Sequence, residues 1–288
     1  MPGRPTCARS PAWRSPAASA EGLSGAFVIQ QLRSLFRFRL LIGSLVGREL
    51  KARYRGSVLG FFWSFINPLL LVLTYGLVFT YMWPAARGPE TEPYFLFLFC
   101  GILPWTWLSA SLMESTGVLV AGGNLIKKVL FPAEVLPVVT VLANLTHFAL
   151  GLPILIAFLV LKGHLHWTAL LLPLPMAVQL LLTLGLALLI SSLSVHFRDI
   201  QNILTHVLQV WFFASPVLYP YSQPHGLMHT LLRLNPMTHV LVAYQDLLFF
   251  GVLPPWKGLL GAVVFGLCAF ALGAFVFDRL RDTLAEEV

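Results

Sequence analysis

Long apolar stretches without a charged residue alternate with short polar segments along most of the chain. Six stretches lack Asp, Glu, Lys and Arg, at residues 57–86, 93–113, 135–161, 163–197, 200–232 and 258–277. A helix needs about 20 apolar residues to cross the hydrocarbon core of a bilayer. Within these stretches we predict six transmembrane helices, at 58–83, 94–113, 135–161, 168–194, 200–219 and 258–277.

The segment before the first span mixes apolar and cationic residues at helical spacing. Leu32, Leu35 and Phe36 alternate there with Arg33 and Arg37. This pattern predicts an amphipathic helix over residues 26–56 that lies on the membrane surface with its cations toward lipid phosphate. Residues 1–25 are rich in Pro, Ala, Ser and Arg and favour a disordered tail, with an organelle transit peptide as the alternative.

Residues 220–256 differ from the spans around them. They contain two short apolar runs, at 227–234 and 240–253, neither long enough to cross a membrane comfortably. Asn235 followed by Pro236 predicts a helix N-cap with proline at the first helical position. We therefore predict short re-entrant helices between spans five and six.

These elements together predict an all-α integral membrane protein. Residues 57–277 form the six-helix transmembrane domain, and residues 278–288 form a tail. Only 11% of the residues are charged, against roughly 25% in soluble domains. A soluble protein is therefore excluded.

The distribution of Lys and Arg predicts the orientation of the chain. With both termini in the cytoplasm, the cytoplasmic segments hold fifteen of the 19 cationic residues, as expected from the positive-inside rule. The net charge of +7 then follows from topology and attraction to anionic lipid. It requires no nucleic-acid partner. We expect a multi-pass membrane protein with both termini in the cytoplasm.

The ionisable residues predict no catalytic centre and no metal site. The twelve acidic residues lie in tails, loops or span ends, and no catalytic motif such as HExxH or GxSxG occurs. His147 is the one ionisable residue in the middle of a span, and we interpret it as a hydrogen-bonded packing residue. The energy for any transport must then come from elsewhere.

Aromatic residues make up 13% of the chain and permit two interpretations. Those near span ends are typical of an interfacial belt, whereas some could instead line a route where rings stack on sugar faces. The candidates for such a channel lining are Trp63, Tyr75, Phe79, Trp105, Trp211 and Phe212.

Four cations immediately precede the first span, in the stretch GRELKARYRGSVLGFFWSFINPLL. They are Arg48, Lys51, Arg53 and Arg55. They form a positive-inside membrane anchor, and the alternative hypothesis is that some of them also contact phosphate groups of a transported molecule.

The chain resembles the membrane-spanning subunit of ABC-2 type exporters, in the branch that exports O-antigen, capsule and teichoic acid. The resemblance rests on four motifs in family order, namely RELKARYRGSVLGFFWSFINPLL, NLIKKVLFPAEVLP, FRDIQNILTHVLQVWFFASPVLYP and LNPMTHVLVAYQDLLFFG. The long N-terminal tail lies outside the match. Gln245 and Asp246 stand where many relatives carry an arginine, which leaves the substrate role of that stretch open.

The resemblance implies an ATP-driven permease for a lipid-linked polysaccharide or polyol phosphate. It further implies a homodimer with a channel between the protomers, docked to two copies of a cytoplasmic ATPase that binds ATP and Mg. Residues 124–132 would form the coupling helix seated in that ATPase, through Asn124, Leu125, Lys127, Lys128, Phe131 and Pro132.

Two other functions remain as alternatives. An exporter of a drug or small lipid belongs to the same superfamily, and its loss would change drug tolerance rather than surface glycan. A membrane enzyme or scaffold is disfavoured because the chain lacks an acid–base constellation.

Overall fold

The computed structural model describes residues 37–56, 59–82, 89–123, 133–197 and 199–287, and within them all regular structure is helical. The α-helices are α1 (Arg39–Tyr54), α2 (Trp63–Leu77), α3 (Tyr94–Ser115), α4 (Val118–Ala121), α5 (Val135–Leu161), α6 (Pro173–His196), α7 (Ile200–Phe213), α8 (Leu227–Leu234), α9 (Pro236–Gln245) and α10 (Trp256–Glu287). Short 3-10 or π turns adjoin several of them, at Gly60–Phe62, Val78–Met82, Pro89–Thr91, Trp167–Leu171 and Asp246–Phe250.

Five helical segments of the described residues are long and apolar enough to cross a membrane. They are Phe65–Met82, Tyr94–Ser115, Val135–Leu161, Trp167–His196 and Trp256–Leu280. Each lies within a few residues of a predicted span, and α5 has the predicted bounds. The integral membrane class is therefore confirmed.

The predicted span at 200–219 is not one continuous helix. Its helix, α7, has 14 residues and ends at Phe213, and the chain continues through residues 214–219 without helical structure. Pro216 explains the early end, because proline has no amide hydrogen and its ring disfavours a helical conformation at the preceding residue, Ser215.

Helix α3 is the centre of the bundle. In the membrane-length part of α3, 78% of the residues are buried, against 11% in the segment Phe65–Met82, which contains most of α2. The ring of Trp107 in α3 lies 5.2 Å from that of Phe148 in α5, which lies 5.8 Å from Tyr244 in α9. The short helix α9 is therefore buried inside the bundle rather than laid on its surface.

Helices α6 and α10 pack through glycines. A Cβ atom at Gly185 would overlap the backbone of Ala269 and Phe270, and one at Gly273 would overlap the carbonyl oxygen of Gly185. Small residues at such positions let two membrane helices approach closely. This contact fixes the last long helix to the bundle.

Helix α1 lies against the start of α5. Ile42 and Leu45 are buried in a cluster with Val135, Val138 and Val139, whereas Leu40 is exposed. The described part of the predicted interface helix therefore contacts the bundle through one face. Residues 26–36 of that prediction, and the predicted tail at 1–25, lie outside the described residues.

The predicted helix start at Asn235 is confirmed. Its side chain accepts a hydrogen bond from the backbone nitrogen of Met237 at 3.0 Å, and Pro236 is the first residue of α9. The preceding helix α8 has the bounds of the predicted apolar run at 227–234. Asn235 thus joins the two short helices α8 and α9 directly to each other.

Candidate functional site

The segment from α7 to Leu218 runs antiparallel to α3. Thr205 Oγ1 lies 3.9 Å from the sulfur of Met113 near the end of α3, and the hydroxyl of Tyr94 at its start donates to the carbonyl of Leu218 at 2.7 Å. Met113 and Tyr94 are separated by 19 residues, which is about 28 Å of helix. The backbone of Val217 lies beside Gly101, which is 12 residues and about 18 Å of helix from Met113. Residues 205–217 therefore extend along somewhat more than half of α3, and the Tyr94 side chain reaches Leu218 from the start of that helix.

Side chains satisfy the backbone carbonyls that the early end of α7 leaves without helical partners. Non-helical backbone is tolerated at membrane depth only where protein or water covers it. Ser215, Pro216, Val217 and Leu218 are buried. Four carbonyls of this segment accept side-chain hydrogen bonds, Phe213 from Tyr219, Ala214 from Asn235, Pro216 from Gln245 and Leu218 from Tyr94.

Asn235 uses its full hydrogen-bonding capacity at this break. Its Oδ1 accepts from the indole nitrogen of Trp211 at 2.9 Å, in addition to Met237. Its Nδ2 donates to the carbonyl of Ala214 at 3.1 Å and to the hydroxyl of Ser215 at 2.9 Å. This one side chain therefore joins the end of α7, the non-helical residues 214–219 that follow it, and the start of α9.

Helix α7 has three distinct faces. Leu204, Leu208 and Phe212 are buried at intervals of four residues, and Ile203, Val207 and Val210 form an exposed apolar face. The remaining face is exposed and polar, and it carries no charge when His206 is neutral. It consists of Gln201, Asn202, Thr205, His206 and Gln209. A face of this chemistry is expensive to leave against lipid, because its polar groups find no partners there.

Helix α2 also presents an exposed face. Residues at intervals of three or four line it, and they are Trp63, Asn67, Leu70, Thr74, Leu77 and Tyr81. The two helices are neighbours, because the rings of Tyr75 in α2 and Phe212 in α7 lie 5.4 Å apart. Two helices with exposed faces therefore meet near the end of α7.

The predicted channel aromatics divide into two groups. The structure brings four of them together in one cluster, with Trp105 lying 5.9 Å from Trp211 and 5.5 Å from Phe212, which contacts Tyr75. Trp105 and Phe212 are buried, so they support the end of α7 from within the chain.

The other two predicted aromatics lie apart from this cluster. The ring of Phe79 lies 6.4 Å from that of Tyr94. Trp63 is 40% exposed on the outer face of α2. Trp63 is therefore the predicted channel residue that a molecule outside this chain reaches most easily.

The four predicted phosphate-contacting cations do not share one environment. Arg48, Lys51 and Arg55 are exposed on or beside α1. Arg53 instead donates to Asn144 Oδ1 at 3.0 Å and to Glu114 Oε2 at 2.7 Å. Sequence reasoning missed these two partners, because they lie 91 and 61 residues away.

The six predicted coupling residues, Asn124, Leu125, Lys127, Lys128, Phe131 and Pro132, lie outside the described residues. The described chain stops at Gly123, two residues after α4, and resumes at Ala133 shortly before α5.

His164 and His239 each contact a neighbouring residue in the fold. The His164 ring stacks on Phe249 at 5.3 Å, and His239 Nε2 donates to the carbonyl of Arg233 at 2.9 Å. In the part of the chain that the structure describes, no three His, Cys, Asp or Glu side chains are grouped to hold a metal ion.

Gln245 and Asp246 differ in role although they are adjacent. Gln245 is buried and its amide donates to the carbonyl of Pro216 at 2.8 Å, so it stabilises the break after α7. Asp246 lies at the end of α9, where burial raises the pKa of its carboxyl to about 7. The chemistry that this pair presents therefore differs from that of an arginine.

The polar face of α7 is the feature that sequence reasoning missed. Its signal is present in the stretch IQNILTHVLQV, where polar residues recur at positions 201, 205 and 209 inside a charge-free window. That spacing places them on one helical face. A search for polar periodicity within predicted spans would have found it.

Comparison with known proteins identifies the class. Residues 41–249, nearly three quarters of the chain, match the ABC-2 type transporter family. The chain therefore belongs to this family, as its motifs predict.

Individual relatives define the branch. The chain is 37% identical over 264 residues to the O-antigen export system permease protein RfbA of Myxococcus xanthus, covering 91% of this chain and all of that protein. It is 28% identical over 253 residues to the protein of the same name from Klebsiella pneumoniae, covering 87% and 95% of the two chains. It is also 20% identical over 248 residues to the polysialic acid transport protein KpsM of Escherichia coli, covering 85% and 95%.

Proposed function

We propose that this chain is the membrane-spanning subunit of an ATP-driven exporter that moves a lipid-linked polysaccharide or polyol phosphate across the cytoplasmic membrane of a bacterium. The observation that carries the proposal is the exposed, uncharged polar face of α7 on a chain built for a bilayer. The names of the relatives, O-antigen export permease and polysialic acid transport protein, support the same substrate class.

The chemistry of the polar face suits a glycan. Gln201, Asn202, Thr205 and Gln209 offer donors and acceptors without a fixed charge. Such groups exchange hydrogen bonds with sugar hydroxyls and hold no repeat unit strongly enough to stop its movement. A drug exporter, by contrast, needs an apolar pocket for most of its ligand surface.

A second copy of the chain completes the channel. One copy leaves the outer faces of α2 and α7 exposed side by side, with Trp63, Thr74 and Thr205 among their residues. Two copies related by a two-fold axis would bring these faces opposite each other and enclose a polar path. The aromatic cluster of Trp105 and Trp211 would then stabilise one end of this path.

The energy comes from two copies of a separate ATPase, which bind ATP and Mg. Residues 124–132 are the proposed contact with that ATPase, through Lys127, Lys128 and Phe131 in particular. Helix α1 lies at the junction of membrane and ATPase, and the exposed Arg48, Lys51 and Arg55 meet lipid or substrate phosphates there.

Six membrane crossings and two cytoplasmic termini complete the proposal. The five long helices supply five crossings, and α7 with residues 214–219 supplies the sixth as a broken helix. Support comes from the contacts Thr205–Met113 and Tyr94–Leu218, which lie near opposite ends of α3. Helices α8 and α9 then enter and leave the membrane on one side.

Deletion of the gene in its host tests the substrate class. We expect the deletion strain to lose surface polysaccharide, to keep normal drug tolerance and to recover the polysaccharide when the gene is supplied in trans. Normal surface polysaccharide together with increased drug sensitivity would overturn the proposal in favour of a drug or small-lipid exporter.

A further inference from the structure

Arg53 links three separate parts of the chain. It lies at the end of α1, and its guanidinium donates through Nη1 to Asn144 in α5 at 3.0 Å and through Nη2 to Glu114 in α3 at 2.7 Å. The planar guanidinium makes both contacts at once, which the single ammonium of lysine does not reproduce.

The three side chains form a closed triangle. Asn144 Nδ2 donates to the same Glu114 Oε2 at 2.6 Å and to the carbonyl of Thr140 at 3.1 Å, so its orientation is fixed from within α5. Glu49, one turn before Arg53, adds a longer contact of 3.9 Å to Nη2. Two carboxylates therefore surround one cation, and Arg53 retains no excess charge for a lipid phosphate.

The position of this triangle connects it with the coupling segment. Glu114 is the last residue but one of α3, and Asn144 lies ten residues into α5. The chain between α3 and α5 contains residues 124–132, the proposed contact with the ATPase. The triangle thus joins α1 to the two helices that flank this contact.

We infer that Arg53 is a positioning residue that ties α1 to α3 and α5, so that a movement imposed on the coupling segment reaches all three helices together. This inference rests on the proposed function, because it requires an ATPase that acts on residues 124–132. Arg53 side-chain exposure is 25% and that of Glu114 is 37%, so the ion pair is partly shielded from solvent.

The test compares export with ATP hydrolysis in the complex of this chain and its ATPase. The variants are Arg53→Gln, Glu114→Gln and the double variant, and Lys257→Gln is the control because Lys257 is an exposed cation in the first turn of α10. Each complex is purified and its ATPase activity measured, and surface polysaccharide is measured in producing cells at matched membrane levels.

We expect Arg53→Gln and Glu114→Gln each to lower export per ATP hydrolysed by about tenfold, while hydrolysis and membrane level persist and the control stays within about twofold of wild type. The double variant should be no worse than either single one, because both substitutions remove the same ion pair. If Arg53→Gln does not assemble, the near-isosteric Glu114→Gln decides the question alone.

Wild-type export per ATP in Glu114→Gln would overturn the inference. So would losses in the double variant that multiply, since Arg53 would then act separately from Glu114, as a phosphate ligand would. A wild-type complex that exports no polysaccharide would instead overturn the proposed function, which keeps the two failures distinct.

Discussion

Thr205 and Gln209 lie one turn apart on the exposed polar face of α7, while Val207 lies on its exposed apolar face. If the polar face contacts a moving glycan, replacing Gln209 by Leu removes hydrogen bonds that each contribute about 1 kcal/mol. We expect Thr205→Leu/Gln209→Leu to lower export about tenfold. The measurement is the amount of surface polysaccharide in cells that hold equal amounts of the wild-type and variant proteins in their membranes.

The matched control for that prediction is Val207→Leu, which replaces one apolar side chain by another on the same helix. It should leave export within about twofold of wild type. Equal losses in the control and in the double variant would show that α7 responds to any change in shape, and the polar face would then have no special role.

Asn235 provides a second prediction at the scale of single residues. Asn235→Asp keeps both acceptor bonds, from Trp211 and Met237, but removes the donors to Ala214 and Ser215. An unsatisfied buried carbonyl costs about 1–3 kcal/mol. Thermal unfolding in detergent should therefore begin at a lower temperature, whereas Ser222→Ala, which loses an exposed bond to Glu90, should have little effect. Equal unfolding temperatures for Asn235→Asp and the wild-type protein would contradict the structural role of Asn235.

Sequence reasoning reached the local features of these residues and missed the distant ones. The N-cap role of Asn235 follows from the adjacent Pro236 and is confirmed. Its contact with Trp211, and those of Arg53 with Glu114 and Asn144, join residues 24 to 91 positions apart. No local pattern encodes such contacts, because they depend on how whole helices pack.

At the scale of elements, the length of an apolar stretch predicts a membrane helix well because hydrocarbon thickness is a fixed local requirement. Four of the six predicted spans agree closely with long helices in the described chain, and α2 with its π turn matches most of a fifth. The stretch at 200–219 is the exception. Pro216 ends its helix, and the partners that make the break tolerable come from α3, α9 and Asn235.

The close contact of α6 and α10 gives a prediction at this scale. Gly185→Leu would force a side chain into the backbone of Ala269 and Phe270, so the two helices must separate. We expect the unfolding temperature of the purified Gly185→Leu protein to be several degrees lower than that of the wild type. Gly261→Leu is the matched control, because a Cβ at Gly261 in α10 meets no atom within 4 Å. Equal behaviour of the two variants would contradict glycine-mediated packing.

At the scale of the whole molecule, the proposed broken crossing at α7 would decide the topology. Single cysteines at Lys162, Phe197 and Ser222 can be introduced in a chain whose Cys7, Cys100 and Cys268 are replaced by Ala. We expect a membrane-impermeant maleimide to label positions 162 and 222 from outside intact cells and position 197 only after permeabilisation. Labelling of positions 197 and 222 from the same side would show that α7 with residues 214–219 does not cross.

We propose that this chain and an ATPase together move a glycan and that ATP hydrolysis drives the movement. The most direct measurement reconstitutes the purified complex in vesicles with the ATPase outside, and follows lipid-linked polysaccharide as it becomes protected from an added glycosidase. We predict protection that requires ATP and Mg and that falls about tenfold in the Thr205→Leu/Gln209→Leu variant. Protection that proceeds without ATP, or that never occurs in complexes with active ATPase, would contradict the account.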